Sequence, residues 1–149
     1  MQTTFFNQTK FYLSAKARVI IVDAIAYLIL ALFMYTAASK LFAIRSFSST
    51  LAKSPLIGEY SKLVAWGIPI TELVIGVLLI FAPIRKLGLY ASFVLMILFT
   101  LYLLYMVFSG SKLPCHCGGV ISTMTWRHHI WFNLGFVLLA FTGIFLYRK

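Results

Sequence analysis

One short segment of the chain has residue types and spacing suited to covalent chemistry: Cys115-His116-Cys117-Gly118-Gly119. A disulfide needs its two Cα atoms within about 4.4–6.8 Å, so thiols one residue apart can join only across a sharp bend. Pro114 fixes the approach to that bend, and Gly118 and Gly119 supply permissive dihedrals after it. A ring this small is strained and more readily reduced than an ordinary structural bridge. It also closes almost no loop, so it adds little stability as a cross-link. The chemistry these features favour is thiol–disulfide exchange, with His116 placed to promote a thiolate or simply facing solvent. Two other readings stay open. The pair is a structural cross-link, or Cys115 and Cys117 hold a soft metal with His128 and His129, although the spacing matches no common zinc pattern.

A second candidate is Glu72. It falls within an apolar run, about nine residues or roughly 13 Å from the run's start by helical rise. An ionisable group at such depth is expensive and faces a bundle interior or a partner. Pro69, one turn earlier, removes a helical hydrogen bond there. Glu72 is therefore read either as a proton acceptor for thiol chemistry or as half of an architectural ion pair, with Lys40 as partner. Asp23 is read as a local charge pair with Arg18 at the membrane edge. Asn133 is placed to hydrogen-bond between helices. Trp126 and Trp131 read as interfacial anchors. Phe93, Phe99, Tyr102, Tyr105 and Phe108 form an aromatic set suited to lipid contact or packing, and also to stacking a quinone ring.

These residues must be positioned by membrane-spanning helices. The 149-residue chain is 62% hydrophobic and 11% charged, too apolar for a soluble domain of this size to hide. Four runs approach the roughly 20 residues needed to cross the hydrocarbon core: 19–38, 63–82, 87–108 and 130–147. The expected fold is an all-α, four-transmembrane-helix bundle of a single domain, residues 19–149, after a leader of residues 1–18. Between the first two spans, 39–62 mixes Lys40, Arg45 and Lys53 with Phe47, Leu51 and Leu56, the pattern of short amphipathic helices at the membrane interface.

The net charge of +10 does not mark nucleic-acid binding, because the basic residues flank apolar runs rather than forming one patch. No phosphate loop, dinucleotide turn or serine elbow is present. Three acidic residues in all argue against carboxylate-pair catalysis. An even number of spans puts both termini on one side. Basic residues stop the first and last spans there and fill the turn at Arg85-Lys86, which favours cytoplasmic termini. The cysteine loop and the 39–62 loop then face the periplasm or exterior.

Ala38-Ser39-Lys40-Leu41, then Phe47, Leu51, Pro55-Leu56 and Pro69-Ile70-Thr71-Glu72 through Gly76, resembles the DoxX-like membrane proteins. In those, a lysine closes the first helix and a proline–glutamate–glycine set marks the second. Cys115-His116-Cys117-Gly118-Gly119, Ser122, Trp126 and Asn133 are similar to the MauE branch of methylamine-utilisation membrane proteins, with Gly118 where that branch often carries phenylalanine. The resemblance implies a four-helix bundle with periplasm-facing cysteines that helps an exported partner acquire disulfides. It makes Cys115 and Cys117 the reactive pair, and Glu72 and Lys40 the buried polar elements. The expected partners are membrane lipids and an exported thiol protein or envelope complex. A membrane quinone is the candidate electron acceptor, and no other cofactor is called for. From a different class comes the alternative of a non-enzymatic accessory subunit scaffolding an envelope complex.

Overall fold

The computed structural model describes residues 14–110 and 125–148. They form five α-helices: α1 (Ala15–Phe42), α2 (Ile44–Ala52), α3 (Ser61–Ile80), α4 (Arg85–Phe108) and α5 (Trp126–Arg148). Four of them are long and apolar enough to cross a membrane, and among the described residues there is no strand. The chain is a multi-pass, all-α membrane protein.

Helix α1 starts at Ser14, whose hydroxyl accepts from the Ala17 N–H at 3.2 Å and so satisfies one of the first turn's orphan donors. It then runs 28 residues, about 42 Å at 1.5 Å per residue, against a hydrocarbon core of about 30 Å. No glycine or proline interrupts Ala37 to Phe42, so the helix carries Lys40 on a regular turn beyond the apolar run. Val22, Ile25, Ala26, Ile29, Phe33, Thr36, Ala37 and Lys40 are its buried residues, a stripe at three- and four-residue spacing. The outward positions, such as Ile20, Leu28 and Met34, are apolar too. A helix apolar on all sides is one that faces lipid behind its packing seam.

The long helices form an up-down-up-down bundle. Helix α1 packs on α3 and α5, and α4 packs on α5 and α3, so neighbours in sequence are neighbours in space. Phe33, Ile29, Leu79, Leu89 and Ala140 fill the centre. A Cβ on Gly88 would lie 3.0 Å from the Leu79 backbone nitrogen. The absent side chain thus sets how closely α4 returns along α3. Short α2 lays Phe47 and Leu51 against Ala65 of α3 in a smaller apolar cluster.

This topology gives the bundle two chemically different ends. One holds the starts of α1 and α4 and the finishes of α3 and α5. The other holds the finishes of α1 and α4, the starts of α3 and α5, and α2.

Candidate functional site

At the α2 end, two charged side chains meet in the interior. Lys40 Nζ lies 2.5 Å from Glu72 Oε1, and the two side chains are 6% and 1% exposed. The helices' directions explain why they meet. Cα–Cβ bonds tilt toward a helix's N-terminus. Lys40, two residues from the end of α1, therefore leans inward, and Glu72, on the antiparallel α3, leans back toward it. Glu72 sits eleven residues into α3, about 16 Å along its axis. The ammonium also lies 5.0 Å from the centre of the Phe99 ring, which adds a cation–π attraction.

Glu72 Oε2 is buried and accepts no hydrogen bond among the described residues. Thr36 stands within hydrogen-bonding reach of the carboxylate, but as placed its hydroxyl donates to the Phe33 carbonyl at 3.3 Å. Next to the pair lies a cavity of about 290 Å³. Its polar lining includes Thr36, Lys40, Glu72, His129 and Asn133, while Phe47, Met96, Phe99 and Phe132 are among its apolar walls. Tyr102 lines it as well and donates to Ser54 Oγ at 3.3 Å. That bond ties the turn after α2 to α4.

The structure brings together Lys40, Glu72 and Asn133 from the expected set, and with them His129, which the sequence offered only as a metal ligand. Sequence reading missed Thr36 and Met96, named Phe47 only in the loop after the first span, and placed Phe99 only in the aromatic set. For Thr36 a signal existed, since Ile29, Phe33, Thr36 and Lys40 share one helical stripe. The two adjacent histidines part company. His129 is buried and faces the cavity, whereas His128 is exposed with Nδ1 2.6 Å from the Thr125 hydroxyl. Among the described residues no cluster of three metal-ligating side chains occurs. Cys115, His116, Cys117, Gly118 and Gly119 lie outside the described residues. The aromatic set of α4 also divides: Phe99 and Tyr102 line the cavity, Phe93 packs on Phe141 with ring centres 6.1 Å apart, and Phe108 is exposed.

One expectation is corrected. Asp23 does not pair with Arg18 but with Arg85, whose Nη1 donates to Asp23 Oδ1. Residues five apart on a helix point about 140° from each other at 3.6 residues per turn, so Arg18 faces away. Arg85 also donates through Nε to the Leu79 carbonyl at 2.9 Å and through Nη2 to the Ile80 carbonyl at 3.3 Å. One guanidinium thereby caps α3, anchors α4 and holds α1.

Fold and site together define a polytopic four-helix membrane protein with a buried ion pair beside an internal cavity. A sequence model of the methylamine utilisation protein MauE matches residues 18–146. The chain belongs to the MauE family. No curated protein and no solved structure gives a match to it.

Proposed function

We propose that this chain is a membrane-embedded thiol–disulfide exchange protein of a methylamine-utilisation system, acting through Cys115 and Cys117. In the exchange, a thiolate of an exported partner attacks the Cys115–Cys117 disulfide to form a mixed disulfide. The partner's second thiol then displaces the chain's cysteine. The partner leaves oxidised, and Cys115 and Cys117 remain as a dithiol carrying the two electrons. The observation that most supports this reading is spatial. Both flanks of the cysteine segment, the end of α4 and the start of α5, are fixed at the bundle end where Lys40 and Glu72 meet. A membrane protein has few reasons to keep charge at that depth, and function is the commonest.

In this reading the membrane is the bacterial inner membrane, with both termini cytoplasmic and the α2 end facing the periplasm. Helix α2 lies along the interface, its Phe47 and Leu51 inward and its serines and Arg45 toward headgroups. The Lys40–Glu72 link joins the two positions whose sequence resembles the DoxX-like proteins.

Cysteine-to-serine variants test the reading. Expressed alone, Cys115→Ser or Cys117→Ser should trap a mixed disulfide with an envelope protein, resolved by non-reducing electrophoresis and lost on reduction. The double variant should abolish growth on methylamine. Growth of the double variant together with no trapped species in either single one would sink the exchange reading. The accessory-subunit alternative would then stand in its place.

A further inference from the structure

We propose that the cavity beside Glu72 binds a neutral, lipid-soluble molecule whose head is a hydroxyl-bearing aromatic ring of the hydroquinone class. The ring's hydroxyl donates to Glu72 Oε2. The proposal deepens the exchange reading by naming a class of molecule that would take part in the exchange. It rests on that reading only for what the ligand does, and not for whether it binds.

Four observations converge on this ligand. The first is the orphan acceptor, a carboxylate oxygen that is buried, borders the cavity and accepts no hydrogen bond among the described residues. Leaving such a group without a donor costs about 1–3 kcal/mol, more for a charged one, so a ligand that brings an O–H is strongly favoured. The second is charge. Lys40 and Glu72 neutralise one another at 2.5 Å, which leaves no net charge to hold an ion in an apolar setting. The ammonium has three donors and gives one to Glu72 Oε1, so an acceptor oxygen on the same head is also met.

The third observation is shape. About 290 Å³ lies at the bottom of the range of small-molecule sites, roughly 300–1,000 Å³. That is room for one substituted ring rather than a large ligand. Phe47, Phe99, Tyr102 and Phe132 wall the space, and flat rings pack well on one another, offset or edge to face. The fourth is access. Leu98 lines the cavity yet is 55% exposed on the outer surface of α4. It stands ten residues before Phe108, about 15 Å from that end of the helix. Leu98 thus separates the cavity from the outside of α4 by a single exposed side chain, the side on which an apolar tail would extend toward lipid.

The test uses the full chain in nanodiscs with decylhydroquinone, decylbenzoquinone and decylbenzene as probes, each corrected for partition into protein-free nanodiscs. Decylhydroquinone should bind saturably at one per chain and more tightly than decylbenzoquinone, which has no O–H to offer. Glu72→Gln should weaken the hydroquinone by about tenfold or more, the loss of one hydrogen bond to a charged group. It should also narrow or reverse the preference over the quinone, because an amide can itself donate. Leu95→Trp fills the cavity from α4 while leaving Lys40 and Glu72 unsubstituted, and should remove specific binding of both. Circular dichroism verifies that each variant keeps its helices. Decylbenzene binding as tightly as the hydroquinone would overturn the proposal, as would a hydroquinone affinity unchanged in Leu95→Trp. The Cys115→Ser/Cys117→Ser chain should bind like the parent. Failure of thiol trapping therefore leaves the binding result intact, and failure of binding leaves the trapping result intact.

Discussion

Among the described residues each end of the bundle holds one ion pair, and the pairs are built on opposite plans. Arg85 directs Nη1 to Asp23 and its other donors to the carbonyls of Leu79 and Ile80, with the Tyr27 ring 5.8 Å away. Its partner Asp23 is 40% exposed and can draw on headgroups or water. Lys40 and Glu72 are far more deeply enclosed, and one carboxylate oxygen lacks a donor among the described residues beside a cavity. The first arrangement satisfies backbone groups that the fold itself leaves open and works as a joint. The second creates a polar demand that the fold leaves open. A joint explains itself by stability; an unmet demand beside a cavity points to something that binds.

The largest effect should come from splitting the enclosed pair. Lys40→Met leaves the Glu72 carboxylate buried without its counter-charge, a change that typically costs about 3–5 kcal/mol. Unfolding in mixed micelles by increasing SDS, followed by circular dichroism, should show this loss. The double variant Lys40→Met/Glu72→Leu removes both charges and should recover most of it, since well-packed apolar replacements of buried pairs are often neutral or better. A double variant as unstable as the single one would mean that this pair, like the other, is a joint.

At the opposite end the order should invert. Arg85→Gln should cost about 1–3 kcal/mol in the same assay, because hydrogen bonds from a charged group are lost. Here removal of the partner should bring no rescue. Arg85→Gln/Asp23→Leu still leaves the last carbonyls of α3 without the guanidinium cap, so its stability should stay near that of the single variant. Recovery at this end would erase the contrast between the two pairs.

Sequence made the four spans legible because apolar runs of membrane length have few other uses, and the family match spans almost all of them. The charge at position 72 was equally visible, since so few acidic residues occur that any one inside a span stands out. The reach of α1 to Phe42 was harder to see. Ser39 and Lys40 mark where lipid contact ends but carry no signal that stops a helix. The Asp23–Arg85 link joins residues 62 apart and depends on how closely α4 returns along α3, which Gly88 sets and no local pattern announces. The cavity was least legible of all. It is bounded by residues from all five α-helices, including Phe47, which α2 folds back onto α3.

The smallest expected effect tests whether the α2 end is special for its charges or merely for its location. Tyr102 donates to Ser54 Oγ at 3.3 Å, and Ser54 is 4% exposed. This is a neutral tie near the same cavity, long enough to be modest. Tyr102→Phe keeps the ring and its packing and should cost about 0.5–1.5 kcal/mol. Hydrogen exchange should speed up chiefly around the turn after α2, because the rest of the bundle does not depend on that contact. A loss as large as that of Lys40→Met would show that this end unravels when any polar contact is cut. The excess cost of splitting Lys40 from Glu72 would then no longer argue for a site. A small and local loss leaves that excess with the carboxylate, where an unmet acceptor faces the cavity.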